Sequence, residues 1–213
     1  MKEFESKNGK AVLMAMVKTI QDNKAYLSEV DGLIGDGDHG VNMNKGFSLF
    51  QERFQEQEYS LSEGLEELGA ILFNEIGGSM GPIYGSILME MADVCQGEEH
   101  ISLSILIQML QAGLDGLYDI VEARPGDKTL VDTLEPALRS LQASQAKGEE
   151  LDAALAAMEE AACRGRDSTR DMIAKYGRSS RLGERSRGVL DAGATSCCLL
   201  LCAMAQSMRA QLV

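Results

Sequence analysis

With 213 residues the chain is long enough for one sizeable domain, and 45% hydrophobic with 25% charged residues is the composition of a soluble globular protein. A formal net charge of -13 excludes a general nucleic-acid surface, which needs a basic face. No apolar run is long enough to span a bilayer, the richest being 196–204, and the polar, acidic opening Met1-Lys-Glu-Phe-Glu does not read as a signal peptide. The five cysteines (Cys95, Cys163, Cys197, Cys198 and Cys202) form no C-x-x-C pair. With only two histidines, that argues against zinc and for a reduced, cytoplasmic protein. Cys198 and Cys202, one helical turn apart among Leu, Ala and Met, read as small core residues.

Val12, Ala15, Met16 and Ile20 stand at helical spacing and predict a first helix over 9–29. The densest chemistry of the chain follows. Asp31-Gly-Leu-Ile-Gly-Asp36-Gly-Asp38-His39-Gly40 packs three carboxylates and four glycines into ten residues. Glycines allow a tight turn that aims the carboxylates together, where they repel unless a cation sits among them. Hard oxygen donors in a small turn suit Mg²⁺ better than zinc. An EF-hand is excluded by counting from Asp36: Gly40, Val41 and Phe47 fall where an oxygen ligand, the glycine and the glutamate belong. The competing reading is a surface turn rich in Asp and Gly.

Residues 42–56 resume a helix, with Met43, Phe47, Phe50 and Phe54 on one stripe. Leu61, Leu65, Leu68 and Leu72 mark a helix over 60–75, capped at Ser60 or Ser62 and broken by Gly77-Gly78. Pro82 opens the next, running to about 94. Residues 102–122 carry a leucine stripe that Arg124-Pro125-Gly126 ends. Thr129-Leu-Val-Asp132 reads as a capping box with Asp for Glu, opening a helix through Leu141. An alanine-rich helix over 151–176, a basic loop over 177–190 and a largely apolar helix over 191–209 complete the chain. No stretch alternates with period 2, and nothing repeats at solenoid spacing. The fold class is all-α: a bundle of about eight antiparallel helices in a single domain, 1–213.

In such a bundle alternate loops lie at one end. Loops 31–40, 77–81, 124–129 and 177–193 therefore share a rim, and these four hold the unusual residues. Gly77-Gly78-Ser79-Met80-Gly81 precedes a helix and either offers N–H groups to a phosphate or is an ordinary turn. Gly126-Asp127-Lys128-Thr129 is not a P-loop, since the upstream glycine and strand are missing. Lys128 is either a phosphate contact or a solvated lysine. Arg178, Arg181, Arg185 and Arg187 make a cationic strip in an acidic protein, suited to a phosphate or an acidic partner. The alternative is a solvated loop part-neutralised by Glu184. Asp191 caps the last helix.

Taken in order, Gly35-Asp-Gly-Asp-His-Gly40 with Asn42 and Asn44, Gly77-Gly78…Gly81-Pro82, Pro125-Gly-Asp-Lys-Thr129, Gly177-Arg-Ser-Ser…Leu182-Gly-Glu-Arg-Ser186 and Asp191-x-Gly-Ala-Thr-Ser196 carry a resemblance. The chain resembles the nucleotide-binding L subunits of bacterial dihydroxyacetone kinases of the phosphotransferase-system-dependent type, over essentially its whole length. The resemblance implies a closed barrel of eight antiparallel helices with ADP or ATP at one rim. It implies that Asp31, Asp36 and Asp38 hold two Mg²⁺ ions and that His39, Gly40, Val41 and Asn42 lie at the nucleotide. Ser79 and Met80 would form the phosphate loop, while Val121, Leu130, Arg178, Asp191, Ala192 and Gly193 complete the pocket. Arg178 would serve catalysis by neutralising charge, with no covalent nucleophile required on this chain.

The implied partners are a dihydroxyacetone-binding K subunit and a phosphohistidine donor protein of the phosphotransferase system, with a homodimer left open and no nucleic acid or membrane. The chain departs from the family pattern at Ser79 and Met80, which replace Ala-Ser, and at Arg181 and Arg187, which replace tyrosine and isoleucine. Val189-Leu190 stands for His-Gln and Ala192 for proline. These departures bear on the identity of partner and sugar. Rival readings are an ATP-dependent sugar kinase subunit with exchangeable nucleotide, a non-catalytic regulatory module, and a carrier of a hydrophobic ligand in a core with 12 methionines.

Overall fold

Apolar residues three and four apart recur along the chain, and a computed structural model describing residues 2–213 turns nearly all of these stripes into helices. The helix expected over 9–29 is two: α1 (Gly9–Asp22) and α2 (Lys24–Gly32). They part at Asn23, whose φ and ψ of -103° and 9° leave the helical basin, and its side-chain amide turns back to the Thr19 carbonyl at 2.8 Å. Helix α3 (His39–Phe54) begins earlier than expected, directly on the acidic loop, so His39 and Asn42 stand in its first turn.

The box at α4 (Leu61–Glu75) is complete. Ser60 Oγ accepts from the Glu63 N–H at 3.3 Å, and the Ser60 N–H donates to Glu63 Oε2 at 2.8 Å. Helix α5 (Met80–Cys95) keeps Pro82 in its first turn, and α6 (Leu103–Ile120) starts on a Ser102 cap. At α7 (Val131–Ala146) only the acidic half of the expected box forms: Asp132 accepts from the N–H groups of Thr129 (2.8 Å) and Gly126 (2.5 Å). Helix α8 (Leu151–Ser168) stops short of the expected 176, because a 3-10 turn at Thr169–Asp171 leads into extended Met172. The stretch Arg178–Ser186 is not open loop but a run of 3-10 turns kinked at Gly183. Helix α9 (Ala192–Arg209) starts on Asp191, whose Oδ2 accepts from the Ala194 N–H at 2.7 Å.

Two strands that the sequence pattern does not announce, β1 (Phe4–Glu5) and β2 (His100–Ile101), pair antiparallel with Phe4 opposite Ile101. They are too short to show a period.

From α3 onward each helix packs on the next through α9, and α9 closes on α1. With α2 packed beside α1 against α3 and α9, the nine helices among the described residues form the eight walls of a closed barrel. One apolar core runs from Phe4 to Met208 and includes fully buried Phe47, Phe50, Leu65, Leu68 and Leu110. Each such side chain contributes on the order of 1.5–3 kcal/mol of burial free energy. Mostly short connections make neighbours antiparallel, which gathers the loops after α2, α4, α6 and α8 at one rim. No helix among the described residues is long and apolar enough to cross a membrane.

Candidate functional site

Those four loops surround a cleft of about 580 Å³, a volume in the range of small-molecule and cofactor sites. Its floor is set by the acidic loop. Asp31 belongs to the last turn of α2, and its carbonyl accepts from the Gly35 N–H at 2.6 Å, which starts the reversal. Gly37 continues it at φ 76°, a left-handed conformation that a side chain would strain. Gly40, in the first turn of α3, has no room for a Cβ against the Lys24 carbonyl and Ser28, so α2 and α3 pack backbone to backbone there. The result brings one carboxylate oxygen each from Asp31, Asp36 and Asp38 within 4.8 Å of one another.

Asp36 and Asp38 are exposed and Asp31 is half-buried. The neutralising partners close by are few: the Arg178 guanidinium pairs with Asp36, and the His39 N–H donates to Asp31 Oδ2 at 3.3 Å. A triad of hard, anionic oxygen donors with so little compensation fits a divalent cation such as Mg²⁺.

The opposite wall is built around Lys128. Its backbone is left-handed at φ 62°, and this directs the side chain inward, where the residue is 1% exposed. The ammonium donates to the carbonyls of Val189 (2.5 Å), Ser186 (2.7 Å), Thr169 (2.8 Å) and Met172 (3.3 Å). Three protons serve four acceptors, so the amine ties both ends of the segment between α8 and α9 to the loop after α6. Burial lowers the Lys128 pKa, opposed by the nearby Asp191 carboxylate. Hydroxyls continue the frame. Thr169 Oγ1 accepts from the Asp191 N–H at 3.0 Å, and Ser186 Oγ accepts from the Ala174 N–H at 2.9 Å while donating to the Gly183 carbonyl at 2.7 Å. Asp127 accepts from Lys175 Nζ at 2.6 Å, and that hydrogen bond holds its carboxyl below the usual range.

Between the two walls runs a short hydrogen-bond chain. His39 Nε2 lies 2.8 Å from Ser196 Oγ, which lies 2.6 Å from the Tyr84 hydroxyl, and both hydroxyls reach the Gly193 carbonyl at 3.1 Å. Burial pushes the His39 pKa down, with Asp31 opposing, so its imidazole is neutral near pH 7. Burial pushes Asp191 up to about 6, a rise limited by the Ala194 N–H that it accepts from.

Of the residues singled out from sequence, Asp31, Asp36, Asp38, His39, Asn42, Ser79, Met80, Val121, Leu130, Arg178, Asp191, Ala192 and Gly193 all line this cleft. Gly40 and Val41 are not among the lining residues. Gly40 is buried against α2, and Val41 is 50% exposed. Lys128 is neither the solvated lysine nor the phosphate contact that its motif suggested, since all its protons are spent on carbonyls. Tyr84 was not legible as a site residue, because it sits on the same helical face as core residues Leu88 and Met91. Of the basic strip, only Arg178 is among the lining residues.

Comparison with known proteins gives the same direction. The DAK2 domain profile matches residues 33–206. The chain is 36% identical over 189 residues to the PEP-dependent dihydroxyacetone kinase 1, ADP-binding subunit DhaL, of Listeria innocua, covering 88% of this chain and 89% of that protein. It is 38% identical over 172 residues to the corresponding DhaL subunit of Escherichia coli K12, covering 80% and 82%. The crystal structure of the dihydroxyacetone kinase of C. freundii in its native form superposes with a TM-score of 0.71 at 25% identity. That match covers 93% of this chain but 34% of the kinase, so the chain spans about a third of that enzyme.

Proposed function

The chain belongs to the DAK2 domain family, and on that premise we propose that it is the ADP/ATP-carrying subunit of a dihydroxyacetone kinase. In this reading the 213 residues form one domain that passes a phosphoryl group from bound nucleotide to dihydroxyacetone, or a similar ketose, held on a separate K subunit. A phosphohistidine protein of the phosphotransferase system then recharges the ADP in place. The relatives' designation as PEP-dependent, ADP-binding subunits supports this assignment. The observation that carries it is the convergence of Asp31, Asp36 and Asp38 within 4.8 Å on the wall of a nucleotide-sized cleft.

Asp31, Asp36 and Asp38 would hold two magnesium ions, which supply Lewis-acid neutralisation of phosphate charge when bound. The chain's own groups do the rest. Ser79 and Met80, at the start of α5, present backbone N–H groups to a phosphate, where the helix dipole favours negative charge. Arg178 is exposed at the cleft, where it pairs with Asp36, and its guanidinium is placed to stabilise the charge of a transferring phosphoryl group. Neutral His39 is fixed by Ser196 and presents its ring beside Asp31 without adding charge. Val121, Leu130, Ala192 and Gly193 supply a largely apolar wall, which suits a purine base.

The test is to purify the protein with Mg²⁺, denature it and identify the released nucleotide. Near-stoichiometric ADP that survives gel filtration, and is lost in Asp36→Ala, is the expected result. A nucleotide-free protein that also fails to bind ADP with Mg²⁺ by calorimetry would overturn the reading. Weak ATP that exchanges freely would replace the recharged coenzyme with a conventional ATP-dependent kinase subunit.

A further inference from the structure

A second cluster of ligating side chains lies outside the cleft, and the nucleotide chemistry makes no use of it. Cys163 comes from α8, and Cys198 and Cys202 come from successive turns of α9. Their Sγ atoms lie within 4.8 Å of one another, Cys163 to Cys198 at 3.6 Å and Cys198 to Cys202 at 4.0 Å. None of the three lines the cleft. Packing explains part of this: α8 and α9 meet along a surface of small residues, with Ala162 and Ala205 fully buried. Packing alone, however, would be met by alanine or serine at each position. Three sulfurs from two helices converge closely enough to share one ion.

Sulfurs bound about 2.3 Å from one cation stand about 3.8–4.0 Å apart, so these spacings need only small adjustments to become the edges of a thiolate site. We propose that Cys163, Cys198 and Cys202 bind a single soft, d¹⁰ cation in three-coordinate fashion, with Cu(I) as the best-matched ion. Softness follows from an all-sulfur donor set. Low coordination follows because no fourth His, Cys, Asp or Glu joins the cluster among the described residues, whereas structural zinc asks for four ligands. Cys198 is buried at 1% exposure while Cys163 and Cys202 are half-buried, so the ion has a route in past the outer two sulfurs and a dry seat at the third. On binding, the thiols release their protons to solvent as sulfur takes the metal. The half-buried Arg166, which is paired with Asp167 at 2.8 Å, is the nearby cation that the anionic charge on the site would feel. A bound ion would pin α8 to α9, the helix that begins at Asp191.

The experiment is anaerobic titration of the purified, nucleotide-loaded protein with Cu(I), using bathocuproine disulfonate as competing chelator and ascorbate as reductant. One equivalent withdrawn from the chelator, with ultraviolet thiolate-to-copper absorption and a raised Tm, is expected. Cys163→Ser and Cys202→Ser, both at half-buried positions, should each weaken binding at least tenfold, with folding checked by circular dichroism. Cys95→Ser, at a thiol outside the cluster, should leave it unchanged. Binding that survives both cluster variants, or falls equally in Cys95→Ser, overturns the proposal. So does a protein that takes no Cu(I) but instead loses the Cys163 and Cys198 thiols to a disulfide on treatment with hydrogen peroxide.

Discussion

The two walls of the cleft are made of the same material, short polar loops at one end of a barrel, but they are finished in opposite ways. The 169–191 wall satisfies itself: the Lys128 ammonium, Thr169, Ser186 and Asp127 all find partners within the protein. The 31–38 wall does not. It holds three carboxylates together against one guanidinium and leaves two of them facing water. A region complete in itself is a frame, and a region left with uncompensated charge is a site. A buried charge that lost its partners would be costly, so the frame is rigid, while the exposed acidic loop waits for a cation at little cost.

The comparison breaks most visibly at Lys128. Lys128→Met fills the volume but leaves four carbonyls without their donor, and should cost about 4 kcal/mol of stability in urea unfolding. A loss under about 1 kcal/mol would mean that the 169–191 wall holds itself without the amine. The opposite wall should respond in the opposite sense. Asp36→Asn with Asp38→Asn should weaken Mg²⁺-dependent ADP binding about 100-fold by calorimetry, about 2.7 kcal/mol, and leave the ligand-free protein no less stable because repulsion is relieved.

Asp191 stands where the walls meet and adds a pH test. Its ordinary pKa of 3.8 rises to about 6 in the folded protein, so the native state holds that proton more tightly than the unfolded chain. The associated stability is present below about pH 4 and is lost as pH rises through about 6. Asp191 is half-buried and water reaches the cleft, so about 1–2 kcal/mol is expected rather than the full shift. Asp191→Asn keeps a capping oxygen and should flatten that slope in unfolding curves between pH 4 and 6. The smallest effect should come from outside both walls. Ser60→Ala removes the α4 cap and should cost about 1 kcal/mol in urea unfolding while nucleotide binding stays unchanged.

Much of the fold was legible because helical spacing is a local signal. The leucine stripes of α4 and α6 and the Ser60 box are written in residues that touch each other along the chain. The acidic loop was legible for the same reason, since Asp36, Asp38 and the glycines between them lie within one turn. Of the two misread helix bounds, one has a local cause and the other a distant one. The single helix over 9–29 breaks at Asn23 because its side chain competes for the Thr19 carbonyl. The helix over 151–176 ends at Ser168, where Thr169 and Met172 turn their carbonyls to Lys128, some forty residues earlier in the chain.

By itself, then, the sequence determined the all-α fold class, the order of its loops, the anionic triad and the absence of any long apolar span. Those follow from periodicity, composition and neighbours in sequence. Tertiary structure alone decided that Lys128 is a structural amine rather than a ligand contact, that Tyr84 and Ser196 orient His39, and that Cys163 meets Cys198 and Cys202. Each of those depends on tertiary packing, which sets side chains far apart in sequence within hydrogen-bonding or coordination distance, as where α9 meets α8 at the three sulfurs.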